Sequence, residues 1–531
     1  MASPNFRIGD AVILYRRNSE QDSAVTGQVI RCSVEAYDMD MIWLQLRYRQ
    51  KNADMLTADS YYAIEHDYVE STFRSLYSGL YSLITCDARR RQLILSQRQP
   101  EPGELFLLVG PPGTGKTSVA LRRMVGQHLS QQHNILLLSY TNRAVDEICS
   151  MLDTIDAHPD YIRMGRELSC APQFREHLFA RRIADMPRRQ DVINLIESTS
   201  VFVSTVSSIT SHTSLFRLKH FHVAIFDEAS QILEPQLLSI LTCPAIDSFI
   251  MIGDHKQLPA VVVQNESRSA VQSPLLHAIG LTDCRNSFFE RLYEQNRNNP
   301  HAVSMLDHQG RMHPAIAEFA SAAFYEGRLQ PVGLSHQKEA LDFPLYDHDN
   351  FIESLVATHR CAFINVPRPS IEDRMPKANI LEARMIAQIV KAVVAVNKKN
   401  GMDFDLSRGL GIIVPFRRQI AVVRAEIGRL AAQGELGADY TQDIASVLLI
   451  DTVERYQGSQ RDIIIYGTTI TQSYELDTLS NLTVIASATV DRKLNVAVTR
   501  ARKQLFVLGN EQLLSINPVY RSLIDYCKEG H

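Results

Sequence analysis

Eight consecutive residues, Gly110-Pro111-Pro112-Gly113-Thr114-Gly115-Lys116-Thr117, match the pattern G-x-x-x-x-G-K-[ST] at every fixed position. Glycines at these places let the backbone curl until successive N–H groups point at phosphate oxygens. Lys116 is positioned to reach the β- and γ-phosphates, and Thr117 to offer its hydroxyl to Mg²⁺. An apolar run, Leu105–Val109, leads into the loop, and a helix-compatible segment, Ser118 to His128, follows. That strand–loop–helix context gives the motif its meaning: the chain binds a nucleoside triphosphate. The loop alone does not say what the energy is spent on.

Two further blocks complete a hydrolytic set. Asp227-Glu228 follows the apolar run Val223–Phe226. An acidic pair ending a buried strand is costly unless it meets a cation. Asp227 is therefore assigned to Mg²⁺, and Glu228 to the attacking water as general base. Gln257 lies just beyond another strand, a neutral side chain able to touch a γ-phosphate.

These residues need two layers of strands and helices. Short apolar runs at Leu105–Val109, Ile135–Leu138, Val201–Ser204, Val223–Phe226 and Phe249–Ile252 alternate with helical segments, the mark of a parallel sheet covered on both faces. A second series runs through Cys361–Val366, Gly411–Val414, Ser446–Ile450, Asp462–Gly467 and Gln504–Leu508. A helix is expected from Asn379, with Glu382 set for a capping box and Ile386, Ile389, Val393 and Val396 on its buried face. The segment Ser169–Ser198, with Arg181, Arg182, Arg188 and Arg189, reads as a helical insertion. Ahead of the first sheet, Asn5–Tyr15, Gly27–Val34 and the alternation of Ile42, Leu44, Leu46 and Tyr48 with Trp43, Gln45, Arg47 and Arg49 predict a small barrel or curled sheet. Its Arg and Tyr residues form either a strand-binding surface or a solvated face. Val69, Phe73, Leu76, Leu80 and Ile84 predict a connecting helix packed through that stripe.

Composition narrows the partners. A net charge of −4 excludes a globally basic coat for nucleic acid, so any such ligand sits in a local groove. Eight scattered cysteines without a C-x-x-C pair give no case for zinc or an iron–sulfur cluster, and suit a reducing, intracellular compartment, cytoplasm or nucleus/nucleoid. No apolar run approaches the ~18 residues of a membrane span. The terminal residues leave room for a longer polypeptide.

The order of the blocks resembles the superfamily 1 helicases, and within them the 5′-to-3′ subgroup that includes the RNA helicase of nonsense-mediated decay and the helicase half of the Okazaki-fragment nuclease-helicase. The blocks are Gly110–Thr117, Ser139–Asp146, Asp227–Gln231, Gly253–Pro259, Gln309–Pro314, Val414–Phe416, Asp451–Gly458 and Leu494–Arg502, roughly three quarters of the chain from first to last. The resemblance implies an α/β fold of two RecA-like parallel-sheet domains of the P-loop NTPase class, preceded by a β-rich, barrel-like module. Its expected bounds are 1–62 for the module, 63–284 for the first domain with the insertion near 169–198, and 285–531 for the second. It implies an ATP-dependent helicase moving 5′-to-3′ on single-stranded DNA or RNA, with ATP and Mg²⁺, acting as a monomer. A nucleic-acid-stimulated ATPase that clamps or remodels without unwinding has the same motifs.

The resemblance also assigns roles. Arg311 and Arg500 come from the domain opposite Lys116 and reach the γ-phosphate; Arg502 forms a structural ion pair; Gly458 and Gln460 lie along the nucleotide. Thr141, Asn142, Thr205, Pro415 and Phe416 follow the nucleic-acid strand. The adenine-contacting glutamine is Gln92 or Gln97. Three departures stand out. Gly310 replaces a tyrosine that stacks on the base, Gln460 replaces a glutamate near the ribose, and the zinc-rich and nuclease domains of relatives are absent from these residues. No N-K-x-D guanine motif supports a GTPase, and a small-molecule kinase would not need the second domain.

Overall fold

A computed structural model of the chain describes residues 6 and 8–530, apart from 39–40, 48–49, 51–55, 68–69, 157, 263, 371, 373, 438–443 and 486–487; it gives no side chain for 70–72, 74, 266, 445 and 446. Asn5, Tyr48, Arg49 and Val69 of the patterns above lie outside the described residues.

The N-terminal strands are β1 (Ala11–Arg16), β2 (Val29–Tyr37), β3 (Ile42–Leu46) and β4 (Tyr62–His66). They form an antiparallel sheet of order β3-β2-β1-β4 around Val12, Ile30, Cys32 and Val34. Arg47 and Arg31 turn to Asp67, at 3.3 and 3.7 Å, so these two arginines belong to an ion-paired face of the module.

The next strands are β5 (Leu105–Val109), β6 (Ile135–Ser139), β7 (Tyr161–Met164), β8 (Val201–Thr205), β9 (Phe221–Asp227), β10 (Ile246–Gly253) and β11 (Val303–Met305), in sheet order β11-β5-β10-β9-β6-β8-β7. β10-β9, β9-β6, β6-β8 and β8-β7 pair in parallel. β6 and β8 are buried along their whole length, which is why they read as unbroken apolar runs. β12 (His308–Gln309) and β13 (Gln330–Pro331) form a short parallel pair. The second sheet comprises β14 (Cys361–Asn365), β15 (Leu410–Ile413), β16 (Leu449–Asp451), β17 (Arg461–Gly467) and β20 (Ala501–Gly509), parallel in the order β14-β20-β17-β15-β16, while β18 (Leu482–Ile485) and β19 (Ala488–Asp491) make a hairpin. The chain is thus two RecA-like parallel sheets with a β-rich module before them. The strand expected from Ser446 begins at Leu449, because 444–447 is a helical turn.

Two compact units emerge. One holds 1–107, 117–253 and 262–303; the other holds 108–116, 254–261 and 304–531. Lys116, Gln257, Arg311 and Arg500 therefore fall in one unit.

Two expectations are corrected. The helix Glu70–Thr85 does form, but Phe73, Leu80 and Ile84, with Tyr77 and Tyr81, are exposed. The packed face is built on Gly79: a Cβ there would stand 3.2 Å from Leu238 Cβ and from the Ser239 nitrogen of the helix Glu234–Leu241. Small side chains set this contact, not the aromatic stripe. Replacing Gly79 with Leu should destabilise the chain by about 1–3 kcal/mol through overpacking; a thermal midpoint equal to wild type would show that the helices do not meet here.

Glu382, second, is no capping-box residue. Asn379 caps the helix Ile380–Lys399 by accepting from the Leu381 and Glu382 nitrogens. The Glu382 carboxylate turns inward and accepts from Thr469 N at 2.7 Å, Thr469 Oγ1 at 3.0 Å and Gln419 Nε2 at 3.3 Å. Burial raises its pKa from the ordinary 4.5 to about 7 against the pull of those donors. A folded value above the unfolded one favours folding at low pH and is lost as pH rises through the folded value. Stability should fall between about pH 5 and pH 8 at this site, and Glu382→Gln should flatten that part of the curve; identical pH profiles of the thermal midpoint would refute the burial argument.

Candidate active site

The phosphate loop leaves β5 through two glycines in the left-handed region, Gly113 (φ 76°) and Gly115 (φ 73°). Beyond it the chain is helical, a π-type turn over Lys116–Leu121 running into the α-helix Arg122–Ser130. Lys116 folds back so that its ammonium donates to the Gly110 carbonyl at 2.9 Å. The fold-back needs glycine at 110, since a Cβ there would overlap Lys116 Cγ at 2.2 Å. At Gly113 the constraint comes from elsewhere: its Cβ would lie 2.4 Å from Arg311 Cβ, and its carbonyl accepts from the Gly310 nitrogen at 2.8 Å.

At the end of β9, Asp227 is buried and accepts from Thr117 Oγ1 at 2.7 Å. The two groups expected to share a cation are thus hydrogen-bonded to each other, a hydroxyl and a carboxylate of the oxygen type that hard divalent ions take. Glu228 is left-handed (φ 54°, ψ 37°), a conformation that costs a non-glycine residue roughly 1–2 kcal/mol. Gln231 Nε2 donates to its carboxylate at 3.1 Å.

In the other unit, Arg500 is buried and donates from Nη2 to Gln257 Oε1 at 2.9 Å, from Nε to the Val496 carbonyl at 3.0 Å and from Nη1 to that of Ser459 at 3.3 Å. Arg311 donates from Nε to Gln460 Oε1 at 2.9 Å and from Nη1 to the Thr499 carbonyl at 3.2 Å. Gly458 (φ 81°) turns the chain toward Ser459 and Gln460. Within this unit the structure brings together Gly113, Arg311 and Gln460, and separately Gln257 with Arg500. Arg502 pairs with Asp462 at 2.7 Å, the structural role expected of it. Sequence reasoning passed over Asp254, Tyr325 and Asn495, which bond to one another beneath Gln257.

Gly310 has no ring to offer, and the direction its Cβ would take leads to Leu334 Cδ1 at 3.1 Å. Leu334 and Val332 are exposed there. Gln92 and Gln97 are both exposed, and the choice between them stays open.

The strand-track residues sit at the carboxyl ends of strands. Thr141 caps the helix Asn142–Asp153, accepting from the Ala144 nitrogen at 3.2 Å, and Asn142 is exposed beside it. Thr205 caps Val206–Thr210, accepting from the Ser208 nitrogen at 3.1 Å. Pro415 follows β15, but the Phe416 ring is buried, so it braces the loop instead of presenting a face for stacking. In the insertion, Arg181 and Arg182 pair with Glu167 and Asp160 at 2.8 and 2.6 Å. Among the described residues no helix is long and apolar enough to cross a membrane.

One AAA-domain model matches residues 284–512, and a second matches 86–191 and 179–265. The chain is 30% identical to the DNA replication ATP-dependent helicase/nuclease JHS1 of Arabidopsis thaliana over 80% of its own length and 28% of that protein's. It is 29% identical to the protein of the same description, DNA2, of Bos taurus over 79% of this chain and 37% of that one. It is also 26% identical to the helicase-named mov-10-B.2 of Danio rerio, covering 82% and 42%. The chain thus spans well under half the length of these relatives. An arterivirus nonstructural protein 10 (helicase) structure aligns with 96% of this chain and 80% of its own at 13% identity and a TM-score of 0.41; the fold rests on the sheets themselves. By its motif order, by two AAA-domain matches that between them take in the strands of both parallel sheets, and by these relatives, the chain is a relative of the superfamily 1 helicases.

Proposed function

We propose that the chain is an ATP-dependent helicase that moves along single-stranded nucleic acid, 5′-to-3′, as a monomer. The observation that carries this is the seating of Arg311 against the phosphate-loop residue Gly113, with Arg500 held on Gln257 in the same unit. A triphosphate loop with one arginine seated against it, and a second arginine held on a glutamine in the same unit, suits hydrolysis of a γ-phosphate better than simple nucleotide storage. The domain bounds we adopt along the sequence are 1–62, 63–284 and 285–531, with the segments 108–116 and 254–261 belonging to the compact unit of the last.

In this reading the Gly110–Thr117 backbone amides and Lys116 bind the phosphates, and Glu228 takes the proton of the attacking water. Thr117 and Asp227 would hold Mg²⁺, which supplies charge neutralisation at the phosphates. Arg311 and Arg500 stabilise charge on the equatorial oxygens, and Gln257, already bonded to Arg500, reports whether the γ-phosphate is present. Gly458 and Gln460 border the nucleoside. Thr141, Asn142, Thr205 and Pro415 contact strand phosphates without reading bases, and Phe416 supports the last of these. The names of the relatives favour DNA as the strand.

Single-stranded DNA should stimulate ATP hydrolysis, and a duplex with a 5′ single-stranded tail should be displaced faster than one with a 3′ tail. Lys116→Ala should abolish turnover, and Glu228→Gln should bind ATP but hydrolyse it at least about a hundredfold more slowly. Stimulated hydrolysis without displacement on either tail would replace the helicase with a clamp, and normal turnover by Glu228→Gln would remove it as general base.

With glycine at 310, and Leu334 and Val332 in the direction its Cβ would take, base selection should be loose. Turnover of ATP, GTP, CTP and UTP under strand stimulation should differ by no more than about tenfold in kcat/KM, the discrimination expected of apolar contact alone. A strict preference for ATP contradicts this.

A further inference from the structure

Beneath Gln257 lies a set of side chains from three distant segments. Asp254 is fully buried. Its Oδ2 accepts from Gln257 Nε2 at 2.8 Å and from the Tyr325 hydroxyl at 2.6 Å, and its Oδ1 accepts from the Lys256 nitrogen at 3.0 Å. Asn495 Nδ2 donates to the Tyr325 hydroxyl at 2.8 Å and to the Lys256 carbonyl at 2.7 Å. The Gln257 amide therefore stands between a carboxylate, which only accepts, and the Arg500 guanidinium, which only donates. That pair of neighbours leaves one orientation of the amide: nitrogen toward Asp254, oxygen toward Arg500. A free glutamine would flip between two.

We propose that Tyr325, together with Asn495, is a positioning residue for ATP hydrolysis: by sharing the Asp254 carboxylate it fixes the rotamer and amide orientation of Gln257, and through Gln257 it holds Arg500 ready for the γ-phosphate. The reading rests on the hydrolytic roles of Gln257 and Arg500 given above. Tyr325 suits the task because its hydroxyl donates to Asp254 while accepting from Asn495, so one atom ties the helix Arg492–Val498, which precedes Arg500, to the segment that carries Gln257. Burial, with the Asp254 carboxylate beside it, holds the hydroxyl's pKa well above its ordinary value, so near neutral pH it is a donor. Its ring is also covered by the Lys256 ammonium, 5.7 Å from the centroid, so removing the oxygen alone leaves the packing in place.

Tyr325→Phe deletes the hydroxyl and nothing else. In strand-stimulated hydrolysis by the full chain, kcat should fall about tenfold, the worth of one buried hydrogen bond to a charged group, with KM for ATP unchanged within about twofold. Asn495→Ala should do the same. On a Gln257→Ala background, Tyr325→Phe should have no further effect on kcat, because the hydroxyl acts only through that glutamine. A merely structural tyrosine would lower the rate by the same factor on both backgrounds, and that result would overturn the proposal, as would a Tyr325→Phe enzyme with wild-type kcat. If Gln257→Ala turns over too slowly to follow, the same cycle read by thermal unfolding decides: midpoint losses less than additive support the coupling, and strictly additive losses refute it. A wild-type chain that hydrolyses no triphosphate with any single strand would end the enzymatic reading itself and this assignment with it, an outcome distinct from wild-type activity that Tyr325→Phe leaves unaltered.

Discussion

The site depends on one close approach of two backbones. Gly113 of the phosphate loop presents its carbonyl to the Gly310 nitrogen, and the space a Cβ would need at 113 is already filled by Arg311. A left-handed φ requires glycine there on conformational grounds, and the neighbour requires it again on steric grounds. The loop's curvature and the placement of Arg311 are therefore a single constraint. Arg311 in turn reaches Gln460, two residues past the Gly458 turn, and Thr499, the residue before Arg500. A change in the loop's path would be felt at Arg311 directly and at Arg500 through Thr499.

What was legible in the sequence was whatever has a period or a fixed spacing. The buried strands β5, β6, β8, β9 and β10 are short apolar runs because parallel sheets cover both faces, and they lie where the runs do. β7 was missed because Arg163 interrupts it. That arginine is fully buried and donates to Asp146 at 2.8 Å, so a charge sits inside a strand only by virtue of a partner seventeen residues earlier. The helix Glu70–Thr85 shows the opposite failure. Its apolar stripe is real, yet the packed side is chosen by Gly79, and hydropathy patterning gives no weight to a residue whose contribution is the absence of a side chain. Glu382 fits the capping spacing, but spacing cannot distinguish a carboxylate that caps from one whose lone pairs are claimed by Thr469 and Gln419.

The candidate site divides in the same way. Lys116, Thr117, Asp227, Glu228, Gln257, Arg311 and Arg500 are visible as blocks because each chemical role demands a residue type at a set place. Asp254, Tyr325 and Asn495 are invisible because their roles are set by one another across long stretches of chain, and a tyrosine in a helical segment otherwise reads as core. The helix caps made by Thr141 and Thr205 do not preclude the strand contact proposed for them. Each hydroxyl oxygen accepts from a helix nitrogen, and its hydrogen remains available to donate outward.

The register of the first sheet carries the final link. In the parallel ladder Ser139 of β6 stands opposite Thr205 of β8 on one side and Asp227 of β9 on the other. Ser139 also donates its hydroxyl to the Asp227 carbonyl at 3.1 Å. One row across three strands thus aligns the cap of one expected strand contact, the residue leading to Thr141, and the carboxylate bonded to Thr117. Open parallel sheets gather ligands at the carboxyl ends of their strands, and a slip of one residue would turn every side chain of a strand to the other face. The burial of β6 and β8 along their whole length makes that slip prohibitive. The Asp227 carboxylate and the proposed strand-contact ends are consequently fixed relative to each other within this sheet by its ladder hydrogen bonds, without any dedicated linker between them.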